Sequence, residues 1–266
     1  MVNIQKAAVI GCGFVGSTIA YTLMQKGLFS EMVLLDANKA KAEGEAMDIS
    51  HGLPFTHAMD IYAGEYEDIA DASVVIITAG ANQKPGETRL DLVQKNAAIM
   101  RSIIKEIKRV NCEGILLIVS NPVDILTEVA LRESGFPKER VIGSGTVLDT
   151  ARLKYIISEK LDVDSRNVHA FIVGEHGDSE LAAWSCANIY GIKLQDFAKM
   201  RGYEHFAQDM EEVYKGVRDS AYEIIERKGA TYYGIGMAAE KIVEAIVRNS
   251  HMEQTAPAFD TVVNTI

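Results

Sequence analysis

The stretch that decides the fold is Ala7-Ala8-Val9-Ile10-Gly11-Cys12-Gly13-Phe14-Val15-Gly16. Four small or β-branched apolar residues read as a buried strand, and G-x-G-x-x-G follows directly and opens a helical pattern over Val15–Lys26. Alone, three glycines also fit an ordinary turn. Here a second apolar run, Met32–Asp36, ends on an acid 20 residues past Gly16. Strand, glycine turn, helix, strand and acid together read as a dinucleotide-binding unit. Gly11 permits the tight turn, Gly13 lets a pyrophosphate approach the backbone, and Gly16 lets helix and strand pack closely. Asp36 suits the ribose hydroxyls and repels a 2′-phosphate, so the expected cofactor is NAD.

Working outward, the first 145 residues alternate short apolar runs with helical patterns. Candidate strands are Ala7–Ile10, Met32–Asp36, Met59–Tyr62, Val74–Thr78, Ile115–Ser120 and Arg140–Ile142. Candidate helices are Val15–Lys26, Lys39–Ser50, Thr88–Arg109 and Val123–Glu133. Nearly continuous Val/Ile/Leu strands between helices predict an α/β fold with a Rossmann-type, doubly wound parallel sheet. The second half changes character: a helix at Asp149–Lys160, strand-like Val168–Val173 and Ala182–Ile189, then helices over Glu204–Arg227 and Tyr232–Arg248. The expected organisation is a dinucleotide-binding domain over 1–145 and a smaller α+β substrate domain over 146–266.

Composition narrows the function classes. The chain has 266 residues, 48% hydrophobic and 24% charged, which suits a soluble globular protein. Its net charge of -10 and lack of basic runs argue against nucleic-acid binding. No apolar run reaches the ~18 residues of a membrane span. Lys6–Cys12 resembles a short targeting signal, but the glycines break it. Cys12, Cys112 and Cys186 are far apart with no C-x-x-C, so no metal site or disulfide framework is expected, and the cytoplasm is the expected compartment.

Four further segments carry possible chemistry. Gly174-Glu175-His176-Gly177-Asp178-Ser179 places a histidine between glycines after a strand, where an imidazole can exchange a proton with a carbonyl or alcohol. A loop histidine is also a common surface residue. Asp149 and Arg152 stand three apart at a helix start and share a face. They read either as an ordinary helix-end pair, or as a carboxylate orienting His176 beside a cation for a substrate anion. The loop from Ala79 to Arg89 fits a lid or a solvated connection, and Ser120-Asn121-Pro122 fits either a ligand edge or a plain turn.

Taken together and in order, GCGFVGS (11–17), ANQKPGETRLDLV (81–93), SNPVDILT (120–127), GSGTVLDTARLKY (143–155), GEHGDS (174–179) and KGATYYG (228–234) resemble the lactate/malate dehydrogenase family, and within it the bacterial L-lactate dehydrogenases. The resemblance implies roles. His176 is the general acid/base, Asp149 its partner, Arg152 the clamp on the substrate carboxylate, and Arg89 the loop arginine that polarises the carbonyl. Asn121 bonds the same oxygen and Thr231 lines the pocket. By the same carry-over Gly11, Gly13, Val15, Gly16, Asp36, Lys41, Tyr66, Gly80, Ala81, Ser102 and Asn121 contact NAD.

In the family the position of Gln83 separates pyruvate from oxaloacetate, malate dehydrogenases carrying arginine there. A neutral glutamine leaves a second substrate carboxylate unpaired under a closed loop. The resemblance therefore implies pyruvate and L-lactate, with malate and oxaloacetate as the alternative. It also implies a homotetramer, in the context of glycolysis and pyruvate fermentation. His169 matches a family residue for the allosteric activator fructose 1,6-bisphosphate, whereas Lys154 stands where an arginine is expected.

The motif resemblance ends near His251, and Met252–Ile266 matches nothing in it. The family's closing elements are accordingly expected to be missing. A non-catalytic NAD-binding fragment is the alternative to a working enzyme.

Overall fold

The protein is described from a computed structural model, for residues 1–81, 86 and 88–249. In the first unit the chain runs β1 (Asn3–Ile10), α1 (Phe14–Lys26), β2 (Glu31–Leu35), α2 (Lys39–Ser50), β3 (Asp60–Ala63), β4 (Ala72–Ile77), α3 (Arg89–Arg109), β5 (Ile115–Ile118), α4 (Val123–Ser134) and β6 (Val141–Gly143). The strands form one parallel sheet in the order β3-β2-β1-β4-β5-β6. Val9 pairs with Leu34 on one side and with Ile76 on the other. The chain winds outward to β3 and then returns to the far side of β1. The order reverses between β1 and β4, and ligands of such sheets bind outside the carboxyl ends at that crevice.

Burial explains why these segments are strands. Val74, Val75, Ile76 and Ile77 are at most 1% exposed, which only a sheet covered on both faces requires of consecutive residues. Ala8, Ile10, Val33, Val75, Ile77, Leu116 and Ile118 form one core with Met100, Ile104 and Ile107 of α3 and Leu126 and Ala130 of α4. Alternate residues such as Val9, Leu34, Ile76 and Leu117 point to the opposite face. Helix α8 (Tyr233–Val247) also belongs to this unit: it packs along α1, where Gly236 approaches Thr18 and Thr22 donates to the Gly236 carbonyl. Sequence order alone groups this helix with the second half.

The second unit spans Gly145–Thr231. It contains α5 (Val147–Leu161), β7 (Val168–His169), β8 (Ile172–Val173), β9 (Leu181–Ala182), β10 (Asn188–Ile189), β11 (Ile192–Lys193), α6 (Leu194–Met200) and α7 (Phe206–Lys228). Leu153, Ile157, Val168, Ile172, Ile189, Phe197, Met210 and Val213 form its core.

Here the sequence expectation needs correction. Val168–Val173 is not one strand: β7 pairs with β10, and β8 pairs with β9 in a separate two-stranded sheet. Ala182–Ile189 is likewise broken by a 3-10 turn at Trp184–Cys186. Tyr190 and Gly191, both at positive φ (53° and 79°), then turn β10 tightly into β11. Among the described residues no helix is long and apolar enough to cross a membrane.

Candidate active site

The first part of the site is the glycine turn at the end of β1. Gly11 has φ 102°, and a Cβ there would lie 2.6 Å from the Ala79 nitrogen, so only glycine fits beside the end of β4. A Cβ on Gly16 would meet the Gly11 carbonyl oxygen at 1.8 Å. Gly13 differs: a Cβ would find nothing within 4 Å, and as the cap of α1 it has no side chain to occupy the first amides of the helix. An open cradle beside free helix-start N–H groups fits a pyrophosphate.

Asp36 follows β2 and is anchored by two backbone amides, Cys12 N–H at 2.7 Å and Asn38 N–H at 2.8 Å. The residues present therefore fit an NAD molecule, with phosphates at the turn and a ribose at the acid. The Cys12 thiol is pushed up to about 12, by burial first and then by the Asp36 charge, so this cysteine is inert.

Two residues that sequence reasoning passed over hold this edge together. Asn96 on α3, 3% exposed, accepts from Ala81 N–H at 2.8 Å and donates to the carbonyl of Asn121 at 2.9 Å. It ties the segment after β4 to the Asn121-Pro122 turn, whose peptide bond is cis. Thr78 donates to the Gly11 carbonyl at 2.7 Å. Asn96 was legible as the one polar residue in line with Met100, Ile103 and Ile107 on the buried face of its helix.

The second part lies wholly within the second unit. His176, in the loop after β8, places Nδ1 2.6 Å from Asp149 Oδ2. Arg152, one helical turn beyond Asp149 on α5, donates from Nη1 to Oδ1 at 2.7 Å. The Asp149 side chain is 3% exposed and His176 28%, so the carboxylate is buried behind an imidazole that still reaches the surface. Burial works against the Asp149 charge. The His176 hydrogen bond and the charges of His176 and Arg152 outweigh it and hold the carboxyl below its ordinary range. The same hydrogen bond raises His176 above its usual value, against desolvation.

Glu180, which the sequence reading did not single out, completes the cluster. It is 3% exposed, and its carboxyl is pushed up to about 7 by burial and by the Asp149 charge. One donor atom from each of Asp149, His176 and Glu180 lies within 4.8 Å of the others. The Arg152 guanidinium already on Asp149 makes this an acid–base cluster and a poor seat for a metal cation.

The remaining expected site residues fall as follows. Val15 is half-buried on α1, Lys41 exposed in the first turn of α2, Gly80 exposed and Ala81 half-buried after β4, and Asn121 exposed after β5. Tyr66, in a 3-10 turn at Tyr66–Ile69, packs half-buried against the sheet core, and Ser102 is exposed on α3. Among the described residues neither shares a hydrogen bond with Gly11, Gly13 or Asp36.

In the second unit Thr231 is half-buried ahead of α8. His169 is exposed on β7, and Lys154 on α5 places its ammonium 5.5 Å above the Phe171 ring. Gln83 and the side chain of Arg89 lie outside the described residues, as does the tail from residue 250.

Comparison with known proteins accounts for both parts. A family model described as the lactate/malate dehydrogenase NAD binding domain matches residues 5–143, and that family's alpha/beta C-terminal domain matches residues 146–262. The second match runs past His251, correcting the expectation that the family pattern stops there. The L-lactate dehydrogenase of Acetivibrio thermocellus is 56% identical over 248 residues, covering 93% of this chain and 78% of its own length. That of Priestia megaterium is 53% identical over 255 residues, covering 96% and 80%.

Among solved structures, a lactate dehydrogenase from a Medee basin deep-sea metagenome library superposes with a TM-score of 0.94 at 51% identity, covering 98% of this chain and 82% of that one. The minor L-lactate dehydrogenase of Enterococcus mundtii, in its ligands-bound form, gives 0.92 at 46% identity over 96% and 81%. With both domains matched in order by its sequence, and with a glycine turn shaped for a dinucleotide, the chain belongs to the lactate/malate dehydrogenase family and is an NAD-dependent 2-hydroxy acid dehydrogenase.

Proposed function

We propose that the chain interconverts pyruvate and L-lactate, with His176 as the group that gives and takes the proton. The observation that carries this reading is the 2.6 Å contact between His176 Nδ1 and Asp149 Oδ2. It fixes the orientation of the ring from its Nδ1 side, as a group that exchanges a proton with a substrate oxygen requires. Because Asp149 raises the proton affinity of His176, the imidazolium persists to higher pH than it would without that partner and is ready to donate to a keto oxygen.

When bound, NADH supplies the hydrogen and electron pair that add to the carbonyl carbon; every other part of the step falls to the chain. His176 delivers its proton to the oxygen, and Asp149 orients the ring and stabilises its charged form beforehand. Arg152 binds the substrate carboxylate through its planar fork, which a lysine would not match. Arg89 polarises the carbonyl, Asn121 bonds the same oxygen, and Thr231 closes the pocket wall. Gln83, being neutral, favours the methyl group of pyruvate over the second carboxylate of oxaloacetate, which would be buried unpaired. Around NAD we assign Gly11, Gly13 and Gly16 to the phosphates, Asp36 to the ribose, and Val15, Lys41, Tyr66, Gly80, Ala81, Ser102 and Asn121 to the remaining contacts.

Three further assignments accompany this reading. Cys12, Cys112 and Cys186 are all free thiols, which supports a cytoplasmic setting. A homotetramer, and control by fructose 1,6-bisphosphate through His169 and Lys154, are proposed on the family resemblance. The test is the rate of NADH oxidation with pyruvate and then oxaloacetate, each with and without fructose 1,6-bisphosphate. Pyruvate should be the faster substrate. Faster oxaloacetate turnover would overturn the assignment of Gln83, and NADH binding without turnover of either acid would overturn the reading as a whole.

A further inference from the structure

One buried ionisable group has no part in the mechanism above. Glu180 stands four residues after His176, just past its loop. Its backbone is fixed from two sides: the N–H donates to the Gly177 carbonyl at 3.1 Å, and its carbonyl accepts from the Tyr214 hydroxyl on α7. A carboxyl oxygen of Glu180 lies within 4.8 Å of one of Asp149, and its Oε2 lies 3.5 Å from the Gly177 amide. The groups beside it are Asp149 from α5, which carries Arg152 on its Oδ1, His176 from its own loop, and from α7 Tyr214, flanked by Glu211 and by Arg218, whose guanidinium lies 4.8 Å from the Tyr214 ring.

Two adjoining buried carboxyls cannot both carry charge without large cost. Asp149 has His176 and Arg152 as cationic partners, whereas Glu180 is set beside the charge of Asp149 itself. Of the two acids, Glu180 is therefore the one that keeps a proton.

We propose that Glu180 is a positioning residue: its protonated carboxyl donates to Asp149 and holds that carboxylate where it bonds His176 and Arg152 at once. This inference rests on the dehydrogenase reading of His176. It also has an electrostatic consequence. When Glu180 loses its proton, near pH 7, a second negative charge appears beside the pair and strengthens the hold of His176 on its own proton. The fall in pyruvate reduction at alkaline pH is thereby postponed.

The test uses two variants of the full chain. Glu180→Gln keeps a donor of the same shape and abolishes the charge, whereas Glu180→Leu abolishes both. In Glu180→Gln, kcat for pyruvate at pH 6 should stay within about threefold of the parent, because the hydrogen bond survives. The alkaline limb should move down by about half a pH unit or more. In Glu180→Leu, kcat should fall about tenfold at unchanged NADH affinity.

Nuclear magnetic resonance titration of His176, assigned by its absence from His176→Asn, reads the same shift without any turnover. A downward shift in Glu180→Gln supports the proposal even if pyruvate proves a poor substrate, which would instead count against the parent reading. An unchanged His176 titration in Glu180→Gln would overturn the proposal. So would a rate loss in Glu180→Gln as large as that in Glu180→Leu.

Discussion

His176 and Arg152 hold opposite oxygens of one carboxylate, the imidazole at 2.6 Å from Asp149 Oδ2 and the guanidinium at 2.7 Å from Oδ1. Asp149 thus fixes an imidazole and a guanidinium with a single buried side chain. Asp149→Asn removes the charge that raises His176, so the imidazole should titrate closer to its ordinary 6.5. The sign follows directly. On the proposed mechanism pyruvate reduction needs the protonated ring, so its rate should fall as pH rises through the raised value, and in the variant that fall should begin at lower pH. The rate at its optimum should drop by at least about a hundredfold. Thermal melts should carry the same signature. The pair's contribution to stability is complete below 6.5 and is lost as pH rises through the raised value, so the parent's advantage over Asp149→Asn should shrink with alkalinity.

The glycine turn offers a test that separates folding from binding. Gly13→Ala meets no protein atom within 4 Å and keeps an ordinary backbone angle, so its melting temperature should match the parent's. Its added methyl enters the cradle, and NADH affinity should fall about tenfold or more. Gly16→Ala drives a Cβ to within 1.8 Å of the Gly11 carbonyl, and should lower stability by about 1–3 kcal/mol as well as binding. Equal NADH affinity in Gly13→Ala and the parent would show that the open cradle does not hold the phosphates.

The contrast between these glycines shows why this half of the molecule is legible in its sequence. The turn is local: strand, glycines, helix and acid lie within Ala7–Asp36, and the physics that demands each residue acts within that span. The second unit is not local in this way. Its strands are two residues long, too short for a period of two to register, and β7 and β8 belong to different sheets although two residues separate them. Glu180 is hidden for the same reason. As a letter it is an ordinary acid after a loop, and only its burial beside Asp149 gives it a perturbed proton.

On the proposed reading, Gln83 sets the substrate preference. Gln83→Arg supplies a cation for the second carboxylate of oxaloacetate, and the ratio of kcat/KM for oxaloacetate over pyruvate should rise by at least about a hundredfold. Parallel changes in both substrates would place Gln83 away from the distinguishing end of the pocket.

Lys6 provides a stability test remote from the chemistry. Its side chain is 8% exposed, with the ammonium 2.9 Å from Glu31 and 3.0 Å from Asp71 at the start of the sheet. Lys6→Met leaves two carboxylates facing each other without their cation. Because Asp71 is open to solvent, the loss should be only about 1–2 kcal/mol by chemical denaturation, with NADH affinity unchanged.

In the proposed reaction the His176 imidazole delivers the proton to the keto oxygen. The most direct measurement is the rate of NADH oxidation by pyruvate in His176→Asn, alongside its NADH affinity. The variant should lose about a thousandfold or more in kcat with the cofactor bound as tightly as in the parent protein. A variant that still reduces pyruvate within tenfold of the parent rate would contradict that role of the imidazole.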